Sequence, residues 1–137
     1  MTIDTVKQAR LARRNEYSTY FNGELYAKFD RLVDVKEVTV GGHNFHPKAM
    51  MVKAYVHQVK RHLEDKTSRP CMIYFHGGGG VLGSAEANKT HCNRYAVEGD
   101  CTVINVDYRL APENKAPAGS CDSYAALKCI ISDYESF

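Results

Sequence analysis

The run Cys71-Met-Ile-Tyr-Phe-His-Gly-Gly-Gly-Gly-Val-Leu-Gly-Ser84 constrains the fold of this chain more than any other stretch. Five strand-favouring residues pass straight into four glycines, so a β-strand must end in a loop that adopts backbone conformations a Cβ atom forbids. Ala85 to Glu98 then favours a helix, with Gly99 where a C-cap glycine is expected. Cys101 to Val106 is mostly apolar and β-branched, as in a strand covered on both faces. Strand, glycine loop, helix and strand form a βαβ unit, which predicts two parallel strands joined by a crossover helix.

The remaining segments flank this unit. Residues 1–34 read as helical, because Tyr17, Tyr20, Phe21, Leu25, Phe29 and Leu32 recur at spacings of three or four, an aromatic stripe expected in the core. Asn22-Gly23 is the expected interruption. From Val35 to Val40 and from Ala49 to Val56, two strand-like runs around Gly41-Gly42 suggest a hairpin. Val59 to Arg69 is a polar connector closed by Pro70. After a loop with Pro112 and Pro117, a second helix is expected from about Ser120 to Tyr134, carrying Tyr124, Leu127, Ile131 and Tyr134 at helical spacing. Ser120 is its expected N-cap, and Asp122 sits favourably near the positive helix end.

A net charge of +2 on 137 residues gives no reason to expect nucleic acid or an anionic membrane surface as partner. The local cluster Arg10, Arg13, Arg14 reads as a solvated helix face. No apolar stretch approaches the roughly 18 residues of a membrane span, and the N-terminus lacks a secretory apolar core, so a cytoplasmic location is the expectation. Five cysteines without a C-x-x-C pair (Cys71, Cys92, Cys101, Cys121, Cys129) argue against a zinc site or disulfide framework and read as small buried hydrophobes. The histidines lack ligand spacing, so no metal is expected, and only His76 has a chemical context.

The free N–H groups of a glycine loop can bind an anion, either a phosphate or the oxyanion of acyl transfer. Gly78-Gly-Gly-Val-Leu-Gly83 matches G-x-G-x-x-G after a strand and before a helix, and Asp107 ends the next strand near the place of a ribose-binding carboxylate. Against a dinucleotide-binding oxidoreductase fragment stands the position of the loop, which follows a helical region and a hairpin instead of a first strand. Gly83-Ser84-Ala85 also lacks a P-loop lysine.

His76-Gly77-Gly78-Gly79 is the H-G-G-G element of esterases and lipases. Together with Gly83-Ser84 and the distal run Val106-Asp-Tyr-Arg-Leu-Ala-Pro-Glu113, it resembles the hormone-sensitive-lipase-like branch of the α/β-hydrolase superfamily over roughly residues 35–134. The resemblance implies a partial α/β-hydrolase fold, a mostly parallel sheet with an N-terminal β-hairpin and flanking helices, truncated before the nucleophile-elbow strand. Residues 1–34 would be a cap-like helical segment and residues 35–137 the N-terminal half of the hydrolase domain. It further implies carboxylic-ester hydrolysis by serine acyl transfer on a small ester, without a cofactor. Gly78 and Gly79 would donate oxyanion-hole N–H groups, with His76, Gly77 and Gly80 supporting the loop. A side chain at Gly78 or Gly79 would displace it. Asp107 and Arg109 would form a structural ion pair or hydrogen-bond network beneath the site.

No G-x-S-x-G nucleophile elbow occurs in the chain. Ser84 and Ser120 both lack the second glycine and stand at expected helix starts, so neither is assigned as nucleophile, and the three triad positions are expected beyond Phe137. The chain alone is therefore expected to be inactive, and a non-catalytic small-ligand-binding module of the same fold is the alternative. The family strand order 1-2-4-3-5 would leave residues 71–75 as a bare apolar edge open to self-association.

Overall fold

The structure, a computed structural model, describes residues 2–21, 24–65 and 67–136, with side chains described outside 14–25 and 136. Helices α1 (Ile3–Phe21) and α2 (Glu24–Leu32) precede strands β1 (Val33–Gly41), β2 (Met51–Val59) and β3 (Cys71–Phe75). Helix α3 (Lys89–Glu98), strand β4 (Thr102–Val106) and helix α4 (Ala118–Ser132) follow. The expected break at Asn22-Gly23 and the side chains of Tyr17, Tyr20, Phe21 and Leu25 lie outside the described residues. Of the remaining stripe, Phe29 is buried whereas Leu32 is 46% exposed, because the chain turns from helix to strand at Val33.

The sheet order is β1-β2-β4-β3, the order expected for the first four strands. The sheet is mixed: β1 with β2 and β2 with β4 pair antiparallel, and β3 with β4 pairs in parallel, Ile73 opposite Ile104. Both hairpin strands run longer than their apolar cores suggest, since Val33 pairs with Val59 and both are buried. Strand period two then divides the residues between two faces. Val40, Val52, Ala54, Val56, Ile104 and Val106 pack against Ala126 and Ile130 of α4. On the other face Val33, Val59 and Val103 pack against Cys92 and Ala96 of α3. Full burial of each aliphatic side chain contributes about 1.5–3 kcal/mol, so β4, covered on both faces, is the centre of the core.

Helix faces, helix caps and cysteine burial refine or correct the sequence reading. The large stripe Tyr124, Leu127, Ile131 and Tyr134 is exposed, and α4 instead buries Cys121, Asp122, Ala125, Ala126 and Ile130. Small residues at the contact let this helix approach the sheet closely, which a purely periodic reading does not register. Ser120 is not the N-cap: α4 starts at Ala118 after Pro117, with no side-chain cap. Gly99 is the C-cap of α3, as expected, its N–H donating to Tyr95 O; its backbone is right-handed, and the left-handed residue is Asp100, φ 47°. Its carboxylate accepts from Arg61, Arg69 and His62, so three side chains fix this turn. Finally, Cys71 is exposed because β3 lies at the sheet edge, and Cys129 of α4 is only half-buried; Cys92, Cys101 and Cys121 are buried as expected.

Candidate functional site

The glycine loop leaves the C-terminal end of β3, where a parallel strand of a βα unit presents its loop. Gly78, Gly79 and Gly80 have φ of 130°, 65° and 71°. The turn closes when Val81 N–H and Leu82 N–H both donate to Gly78 O (3.2 and 2.9 Å). The N–H groups of Gly78 and Gly79 donate to no acceptor among the described residues. An open cleft of about 640 Å³ lies alongside, bordered by Phe75, Gly79, Gly80, Tyr108, Ala111 and Ser120.

A Cβ on Gly78 would collide with the Leu82 carbonyl, a backbone group that cannot step aside alone. At Gly79 it would meet nothing, so the expectation that a side chain at either position displaces the loop holds only for Gly78; at Gly79 the cost is the left-handed backbone. Gly83 is required because a Cβ there would run into Gly77 O and the His76 ring. The third glycine of the apparent G-x-G-x-x-G is thus accounted for by packing within the loop.

His76 is buried. Its Nδ1 donates to Gly77 O (3.0 Å), and its ring stacks on Tyr108 with centroids 4.4 Å apart and planes 12° from parallel. The Tyr108 hydroxyl donates to His76 O (2.5 Å), so ring and backbone of His76 are both held. Nε2 has no hydrogen-bond partner among the described residues and lies 3.9 Å from Asp107 Oδ1. Gly77 is exposed, and Gly80 ties the loop to the next segment by accepting from Ala111 N–H (2.8 Å).

Asp107 and Arg109 do not pair with each other. Asp107 Oδ1 accepts from Ala85 N–H (2.8 Å) and, with Asn105 Nδ2 donating to Ala85 O (2.8 Å), fixes the entry to the helical segment after the loop. Arg109 instead grips Asp122 of α4 through Nε (2.7 Å) and one terminal nitrogen (2.7 Å). The two residues part because the chain leaves the sheet after Val106, sending one carboxylate to the α3 face and the guanidinium to the α4 face. Burial alone would raise the Asp122 carboxyl, but hydrogen bonds from Arg109 and from Met50 N–H outweigh it and hold it below its usual value. Ser84 Oγ accepts from Ala87 N–H (3.1 Å) just before the short helical turn, whose N-cap is Ala85 and not Ser84, whereas Ser120 lies exposed inside α4.

Arg10 is the residue that the sequence most misplaces. Far from facing only solvent, its guanidinium donates to Val81 O (2.9 Å), to Ala111 O (2.8 Å) and in bidentate fashion to Glu113 (2.8 and 3.0 Å). Tyr108 and Asp122 were also not assigned to the site from sequence. A tyrosine and a glutamate inside the distal run were visible signals, but nothing near Arg10 in the chain announces partners so distant in sequence. Among the described residues no cluster of three metal-ligating side chains occurs, and no helix is long and apolar enough to cross a membrane.

Residues 72–136 match the family model described as the alpha/beta hydrolase fold. The chain is 42% identical over 66 residues to the esterase LipI of Mycobacterium tuberculosis, covering 48% of this chain and 21% of that protein. It is 44% identical over 61 residues to the carboxylesterase NlhH of the same organism, covering 44% of this chain and 19% of that one. A solved esterase of Pyrobaculum calidifontis superposes with a TM-score of 0.75 at 31% identity, over 96% of this chain and 39% of that chain. The chain therefore spans well under half the length of the relatives it matches. Over residues 72–136 the chain is similar to the alpha/beta-hydrolase fold family, and over most of its length its fold is similar to that of a solved esterase.

Proposed function

We propose that this chain supplies the oxyanion-binding half of a hormone-sensitive-lipase-like carboxylic-ester hydrolase. One observation carries the reading: the adjacent N–H groups of Gly78 and Gly79 donate to no acceptor among the described residues, in a loop whose Gly78, Gly80 and Val81 carbonyls are all bonded, beside an open cleft. When a serine Oγ adds to an ester carbonyl, the C=O electron pair moves onto oxygen. Two N–H donors aimed at that oxygen stabilise the charge, one such donor being worth about 3 kcal/mol. Collapse of the intermediate expels the alcohol, and water repeats the sequence to release the acid.

His76 supports the loop in this scheme and is not the general base, since its Nδ1 is committed to Gly77 O and its ring is buried against Tyr108. Serine, acid and base would come from the remainder of a complete form, because no G-x-S-x-G occurs in these 137 residues. Relatives named as esterases and carboxylesterases support a small ester as the substrate class. The helices of residues 3–32 would act as a cap. The test is hydrolysis of p-nitrophenyl butyrate by this chain, for which no turnover is expected. A rate well above background that Ser84→Ala or Ser120→Ala abolishes would overturn the assignment. Among the described residues strand β3 pairs only with β4, and it exposes Met72 and Phe75, which supports self-association through residues 71–75. Sedimentation that stays monomeric at every concentration would refute that part.

A further inference from the structure

We infer that Arg10 is a positioning residue for the glycine loop, through which helix α1 holds the donors of Gly78 and Gly79 from outside the sheet; the inference rests on the oxyanion-loop reading. Gly79 and Gly80 have no side chains, and a Cβ on either would meet nothing within contact distance, so this stretch cannot be held by its own packing. What holds it is a set of three carbonyl oxygens. Gly78 O accepts from Val81 and Leu82 N–H, and Gly80 O accepts from Ala111 N–H. Val81 O accepts from Arg10 Nε.

The first two contacts lie within the loop and its neighbour, but the third comes from a helix 71 positions away in sequence. Arg10 also takes Ala111 O and both Glu113 oxygens, so one planar guanidinium clamps the two segments that Gly80 O and Ala111 N–H join. A lysine offers no fork that can hold a carboxylate in bidentate fashion and reach two carbonyls at once. The Arg10 hydrogen bond keeps Glu113 below the usual carboxylate range. Lifting α1 would free Val81 O and Ala111 O together and let the turn relax.

The test is amide hydrogen exchange by NMR on the whole chain. Leu82 and Ala111 report the two bonds that shape the loop, and Ile104 and Val56 report the sheet. In Arg10→Ala, exchange at Leu82 and Ala111 is expected to accelerate about tenfold or more while Ile104 and Val56 change less than about twofold. Arg10→Lys is expected to recover only part of the protection, and Glu113→Gln to loosen the same two amides. Unchanged Leu82 and Ala111 exchange in Arg10→Ala, or an equal rise at all four amides, would overturn the inference. Titration with sodium butyrate separates this from the functional reading. Carboxylate-dependent shifts at Gly78 and Gly79 in the wild type, weakened in Arg10→Ala, support both. Unmoved Gly78 and Gly79 amides alongside a loosened Arg10→Ala loop would leave the positioning role standing and sink the oxyanion assignment.

Discussion

Replacing Arg109 by alanine tests the polar centre that pins the distal segment beneath the glycine loop. The Asp122 side chain is 0% exposed and Arg109 21%, so this pair is largely removed from water. Asp122 Oδ2 accepts from Arg109 Nε (2.7 Å) and Arg109 N–H (3.2 Å), and Oδ1 from the guanidinium (2.7 Å) and Met50 N–H (2.9 Å). Arg109→Ala removes both side-chain donors and the charge, leaving a buried carboxylate with two backbone donors. Breaking a buried pair from one side costs about 3–5 kcal/mol, a large share of the roughly 5–15 kcal/mol that holds a small domain folded. The pH dependence has a definite sign. Because the folded carboxyl titrates below its unfolded value of 3.8, its contribution is present above that value and is lost as pH falls through the folded pKa. In urea titrations the gap between wild type and Arg109→Ala is therefore expected to be widest at neutral pH and to narrow in acid. A cost under about 1 kcal/mol, or a gap independent of pH, would refute the reasoning. Asp122→Asn, which keeps the shape and one acceptor, should cost less than Arg109→Ala.

Gly79→Ala is expected to cost about 1–2 kcal/mol for its left-handed backbone and to leave Leu82 protected from exchange, whereas Gly78→Ala should cost more and expose that amide, because its Cβ meets the Leu82 carbonyl. His57 donates from Nδ1 to Asn93 Oδ1 (2.7 Å), whose amide donates to Asp30, while its Nε2 is buried without a partner among the described residues. Burial lowers its pKa, so stability present above its ordinary 6.5 is expected to fall as pH drops below that value, and His57→Gln should flatten the slope in melts across this range. Mass spectrometry after native alkylation is expected to find Cys71 modified first, although burial raises its thiol, and Cys92 protected, its thiol pushed up to about 12 by burial.

Much of the architecture was written in local pattern. The alternation in residues 35–40, the β-branched run of residues 101–106 and the four glycines after Phe75 each follow from what the backbone of a few neighbouring residues can do. They suffice for the hairpin, the parallel pair β3–β4 and the exposed donors at Gly78 and Gly79. The H-G-G-G element and the distal run ending at Glu113 carried the resemblance to esterases. Helix faces were less legible. Tyr124, Leu127, Ile131 and Tyr134 have the correct spacing for a buried stripe, yet Cys121, Ala125, Ala126 and Ile130 are the residues against the sheet and its flanks. Close approach rewards small side chains there, and hydrophobic size alone misdirects.

Partner choice was decided by tertiary structure alone. Arg109 stands two residues from Asp107 in sequence but pairs with Asp122, and Arg10 reaches Val81, Ala111 and Glu113 across most of the chain. A long, charged side chain has no periodic signature, and its energy depends on which oxygen atoms folding brings within about 3 Å of it. The sequence by itself determined the strands, the glycine loop and the kind of chemistry such a loop can serve, because these rest on backbone sterics that act locally. Which side chains hold that loop in shape follows from packing distant segments together, and only the folded chain decides it.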